Sequence, residues 1–180
     1  MKPEVIGADG ARTVWTIDPQ YATVEFSVKL LFLTVKGRFT DFNGKITLDE
    51  NDIYRSSLEA AVKTASVVTG VKMRDDHLRS KDFLNADAFP EIRFQSASVG
   101  RGRDRDMLRV TGTLTINGQT REAAMDVTMT DRSRSPQGDE IIYCAAVAEI
   151  DRLDFGVRYA RWLIGRTIKI LIQVQAMKRR

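Results

Sequence analysis

The 180-residue chain is poor in the side chains that metal and nucleophilic chemistry usually needs. It has one histidine, His77, and one cysteine, Cys144. These cannot make a zinc site of two cysteines and two histidines, of four cysteines, or a three-histidine catalytic zinc. One cysteine forms no intramolecular disulfide, so packing alone must hold the fold. No apolar run approaches the roughly 20 residues of a membrane-spanning helix. The longest runs are short, such as Leu30-Leu31-Phe32-Leu33. Residues 1–10 lack the apolar stretch of a secretory signal, which predicts a cytoplasmic protein. Charge of one sign is also missing. There are 28 Lys+Arg against 24 Asp+Glu, a net of +4, and the signs alternate along the chain. That pattern argues against a nucleic-acid partner. The densest basic stretch, 100–106, reads as a solvated hairpin loop, and 178–180 reads as a short basic tail.

What the chain does have is alternation. Apolar residues make up 43% of it, enough for a packed core. Ile168, Ile170, Ile172, Val174 and Ala176 share one face of a period-two pattern. The same holds for Leu108, Val110, Leu114 and Ile116, for Ala123, Met125, Val127 and Met129, and for Val24, Phe26, Val28 and Leu30. Each is a strand with one apolar and one wet face, which suits an antiparallel sheet. Ten strands are expected, near 14–18, 23–31, 35–41, 44–49, 57–68, 91–98, 107–116, 120–130, 140–150 and 167–177. Asn117-Gly118 calls for a type I′ hairpin, since both central residues need positive φ. Asn43-Gly44, 100–106 and 133–139 read as further turns. Residues 71–82 have helical character, and 152–166 interrupts the strands with a loop and a short helix. Residues 1–12 read as a flexible segment, 13–177 as one domain.

Amphipathic strands in this number pack as a two-sheet sandwich or as a closed barrel. The strand carrying Ile142, Cys144, Ala146, Ala148 and Ile150 favours a barrel with a cavity, because most of these side chains are small. The bland alternative is ordinary packing of small against large residues. His77 has two readings. It is a general base oriented by Asp75 or Asp76, or it belongs to a polar cluster that fixes a helix or loop. A hydrolase would also need a nucleophile, Ser80 or Cys144, and no nucleophile-elbow motif is present. Cys144 lies in an apolar strand, where a thiol is inert.

Arg74-Asp75-Asp76-His77-Leu78, followed by Phe89-Pro90-Glu91-Ile92-Arg93-Phe94, resembles the YceI-like family, whose members bind polyisoprenoids and related lipids. Trp15-Thr16-Ile17-Asp18, Val24 to Val28, Gly37-Arg38-Phe39, Gly112 to Gly118 and Arg152-Leu153-Asp154-Phe155-Gly156 carry the resemblance along the chain. Tyr21 and Leu30 stand where many members have histidine. The resemblance implies an all-β, mainly antiparallel, lipocalin-like barrel, closed in part by a short helix near 71–82. It implies a lipid tail in the lumen against Val24, Phe26, Val28, Phe39, Ile46, Leu48, Leu114, Met125, Val127, Ala146, Ile170 and Ile172. Head-group contacts are then expected from Tyr21, Arg74, Asp75, His77, Arg152 and Asp154 at the mouth, with no metal and no cofactor. The partner is an isoprenoid or acyl lipid, held by a carrier, storage or sequestering protein in isoprenoid quinone metabolism. A homodimer is a candidate assembly through loop surfaces carrying Tyr159 and Trp162. Two other readings stay open: a small enzyme acting on a bound lipid with His77 as acid or base, and a stress-response interaction module.

Overall fold

The computed structural model describes residues 12–178. Their elements are β1 (Arg12–Leu30), β2 (Leu33–Phe39), β3 (Phe42–Asp49), β4 (Ser57–Lys63), β5 (Val67–Val68), α1 (Lys72–Arg79), β6 (Glu91–Arg101), β7 (Met107–Ile116), β8 (Gln119–Arg134), β9 (Glu140–Asp151) and β10 (Ile164–Lys178). All strand pairs are antiparallel, and β10 pairs with β1, so the sheet closes on itself. β2 and β3 lie end to end along one edge of β1. β4 and β5 lie end to end beside them. The result is an eight-stranded antiparallel barrel, the size at which the interior just fits side chains or one small ligand. The expected barrel architecture is found.

Several details differ from the expectation, β6 and β8 running on past bulges at 96–98 and 129–131 among them, and three have a clear physical reason. The strands expected at 14–18 and 23–31 are one strand, β1. Ile17 pairs with Ala176 and Ala22 with Val174, so β1 carries extra residues around Pro19. Proline lacks the N–H that a ladder uses, and a bulge absorbs it. The bulge also switches the inward face from Trp15 and Ile17 to Val24, Phe26 and Val28. The strand expected at 57–68 breaks into β4 and β5 at a 3-10 turn, Thr64–Ser66. Asn43-Gly44 is not a turn but part of β3, paired with Ala61 and Ala60. A Cβ on Gly44 would lie 2.9 Å from the Ile17 side chain, so this glycine serves close packing. Asn117-Gly118 does form the hairpin, with φ of 51° and 71°. The expected flexible segment lies outside the described residues except for Arg12, which opens β1. Of the basic tail, Lys178 ends β10, and 179–180 lie outside the described residues.

The two ends of the barrel are closed differently. Where β1 begins and β10 ends, Trp15, Ile17, Phe42, Leu48, Ile142 and Ala176 form a buried cluster. Trp15 is fully buried, donates from its indole N–H to Thr13, and lies under the Arg132 guanidinium. At the other end no strand seals the barrel. There α1, the turns that follow it, and the segment between β9 and β10 form a lid. The 3-10 turn Arg152–Phe155 opens that segment.

Candidate functional site

The inward faces of the strands enclose a cavity of about 320 Å³, lined almost entirely by apolar side chains. Sites for small apolar ligands start near this size. Val24, Phe26, Val28, Phe39, Ile46, Leu48, Leu114, Met125, Val127, Ala146, Ile170 and Ile172 all line it. So do Ile142, Cys144, Ala148 and Ile150, the inward face of β9. The small side chains on that face leave space that leucine or phenylalanine would fill. Burial pushes the Cys144 thiol up to about 11, so it stays protonated and is not a nucleophile near neutral pH.

The lid adds Leu78, Phe83, Leu84, Phe155 and Val157 to the lining. Strand alternation gives no means of finding these, because they sit on a helix, turns and a loop. Leu78 and Phe83 fall at or beside the segment expected to be helical, but nothing in their spacing marks them as lining residues.

The polar residues expected at the mouth are mostly engaged in bracing the lid. Arg152 is buried. It donates from Nε to the Gly165 carbonyl at 2.9 Å and from one terminal nitrogen to the Val157 and Tyr159 carbonyls at 2.7 and 3.0 Å. Its other terminal nitrogen donates to the Ile164 carbonyl at 2.9 Å. One side chain thus ties down the whole segment between β9 and β10. Burial pulls its pKa down, and the nearby Asp151 opposes that. Asp75 is buried and accepts from the Thr69 amide at 2.8 Å and from the Thr69 hydroxyl. Arg74 donates to the same hydroxyl and to the Thr69 carbonyl. Both residues therefore anchor α1 to the chain leaving β5.

His77 lies 2.8 Å from an Asp82 oxygen, with its ring edge-on to Phe83 and Tyr159. Phe83 and Tyr159 also touch, at 5.1 Å between centroids. This aromatic trio is the seam where the two parts of the lid meet. Asp154 is exposed on the 3-10 turn. Tyr21 lies in the β1 bulge, half exposed, and does not line the cavity. The structure gathers Arg74, Asp75, His77 and Arg152 into the lid and leaves Tyr21 outside it. Among the described residues, no group of three or more His, Cys, Asp or Glu is placed to hold a metal ion. No described helix is long and apolar enough to cross a membrane.

Comparison with known proteins agrees with this architecture. Protein YceI of Shigella flexneri is 31% identical over 162 residues, covering 89% of this chain and 84% of its own length. The crystal structure of the Campylobacter jejuni YCEI protein superimposes with a TM-score of 0.76 at 28% identity, covering 84% of this chain and 90% of that one. A polyisoprenoid-binding domain from Saccharophagus degradans, implicated in plant cell wall breakdown, shares the fold with a TM-score of 0.71. It is 13% identical, with 93% of this chain and 99% of that one covered. Residues 15–176 match the YceI-like domain, and the chain belongs to that family.

Proposed function

We propose that this protein binds the tail of a long-chain isoprenoid or related lipid in its barrel and acts as a carrier or sequestering protein, with isoprenoid quinone metabolism as its setting. The observation that carries the reading is the apolar cavity itself. It reaches from Ile17 and Leu48 near the sealed end to Phe155 and Val157 under the lid. Each methylene buried there is worth about 0.8 kcal/mol, so about ten of them offset most of the cost of association. Apolar contact has little direction, which suits a tail of variable length, and Met125 adapts to its shape. The fold shared with a polyisoprenoid-binding domain supports the same reading. The lid end is the proposed entry, since it is closed by a short helix and loops rather than by packed strands. A cytoplasmic site of action belongs to the proposal. No catalytic step is part of the proposal: burial keeps the Cys144 thiol protonated, and the cavity it faces is lined almost entirely by apolar side chains.

The test is uptake of a fluorescent farnesyl or quinone-like probe by the purified protein. Saturable uptake by the native protein, lost in Ala146→Phe, is the expected result. No uptake by the native protein overturns the reading.

A further inference from the structure

Two exposed apolar tips stand side by side at the lid end. The turn joining β1 to β2 carries Leu31, Phe32 and Leu33, and the Phe32 side chain is 98% exposed. The segment before β10 carries Trp162, 83% exposed. The Leu31 amide donates to the Leu163 carbonyl at 3.1 Å, and Leu30 pairs with Ile164. Phe32 and Trp162 are therefore each one residue from a direct contact between their segments. A soluble surface seldom leaves large apolar side chains clustered in this way without a use.

The charge immediately beside the tips is basic, with the exposed Asp154 the acidic residue nearest Trp162 along the chain. From Ser27 to Thr40 the chain has Lys29, Lys36 and Arg38 and no carboxylate. From Phe155 onward it has no carboxylate at all, while Arg158 and Arg161 flank Trp162, both exposed. Exposed aromatic and leucine side chains with cations beside them match the boundary of an anionic bilayer. The rings settle at head-group depth and the cations meet lipid phosphates.

We infer that the lid end docks on an anionic membrane surface, with Phe32 and Trp162 inserted and the flanking Lys and Arg side chains against the phosphates. The inference rests on the lipid-binding reading for its purpose, because it sets the lid against the phase that holds the cargo. Docking also gives the lid a low-dielectric neighbour into which an apolar tail passes without crossing water.

The test uses vesicles of phosphatidylglycerol mixed with phosphatidylcholine, against vesicles of phosphatidylcholine alone. The native protein is expected to co-sediment with the former. The Phe32→Ser, Trp162→Ser double variant is expected to bind them at least about tenfold more weakly, with an unchanged unfolding midpoint because both side chains are exposed. In the native protein Trp162 emission is expected to shift blue and to be quenched by brominated acyl chains, while Trp15 stays shielded in the sealed end. Absence of binding to anionic vesicles, equal binding by the double variant, or unquenched Trp162 overturns the inference. So does a native dimer that the double variant turns into a monomer without any vesicle binding, which makes the tips an interface between copies. Uptake of the farnesyl probe from solution separates the two readings. A double variant that takes up probe but no longer docks supports the inference. Docking without probe uptake by the native protein supports it too, and removes the lumen reading alone.

Discussion

Arg152 is a buried cation whose side-chain hydrogen bonds go to main-chain carbonyls, with Asp151 adding charge attraction. Replacing it with methionine keeps the volume and leaves four bonds to Val157, Tyr159, Ile164 and Gly165 unmade. Each buried acceptor left without a donor costs about 1–3 kcal/mol, so Arg152→Met is expected to lower the unfolding free energy by about 3 kcal/mol or more in urea titrations. Lysine should restore little, because it lacks the fork that reaches several carbonyls at once. The opposite case is Ala146, which faces the lumen. Ala146→Phe is expected to abolish probe uptake while costing less than the 1–3 kcal/mol of overpacking, because the ring enters empty space. A full overpacking cost would mean that the site is solid core. The Arg-x-Asp-Phe-Gly pattern made Arg152 conspicuous in the sequence. Whether it met a head group or braced a loop depended on partners far along the chain, Gly165 among them, that spacing does not reveal. The lumen residues were legible because alternation along a strand fixes which side chains share a face.

The helix α1 has eight residues, too few to persist on its own in water. Side-chain tethers hold it. Asp75 and Arg74 bond to Thr69, and Arg79 donates to the Ala65 and Val67 carbonyls. Asp75→Ala is expected to speed hydrogen exchange of the α1 amides several-fold and leave those of β8 and β9 unchanged. Equal loosening of all three would mean that α1 is part of the core and not a separable lid. The residues that carried the family resemblance are thus the anchors of this lid, with Leu78 between them facing the cavity. Alternation located β7, β9 and most of β10, and stopped short in β6 and β8, where bulges at 96–98 and 129–131 break the pleat. The packing glycine at position 44 depends on a neighbouring strand and nothing local announces it, whereas Pro19 marks the β1 bulge, and only its absorption into a continuous strand was hidden.

On the scale of the whole molecule, ion pairs brace both ends of the barrel. At the sealed end, hydrogen bonds from Arg132 hold Glu50 and Glu140 below the usual carboxylate range, and the Asp52 amide does the same for Asp49. At the lid end Arg166 holds Asp151 down. These groups have lower pKa values folded than unfolded. Their contribution is therefore present above the ordinary values of 3.8 and 4.5 and is lost as pH falls through the lowered ones. The urea midpoint is expected to stay level from about pH 7 to 5 and to fall below about pH 4.5, less steeply in high salt. A midpoint that rises on acidification would contradict this assignment.

The barrel, its closure and its apolar interior support the proposal of a container, the claim on which the rest depends. The most direct test is organic extraction of the protein as purified from cells, followed by mass spectrometry. The account predicts an isoprenoid or acyl lipid in a fixed ratio to protein, depleted in Ala146→Phe. A clean extract from native protein that also takes up no probe would contradict it.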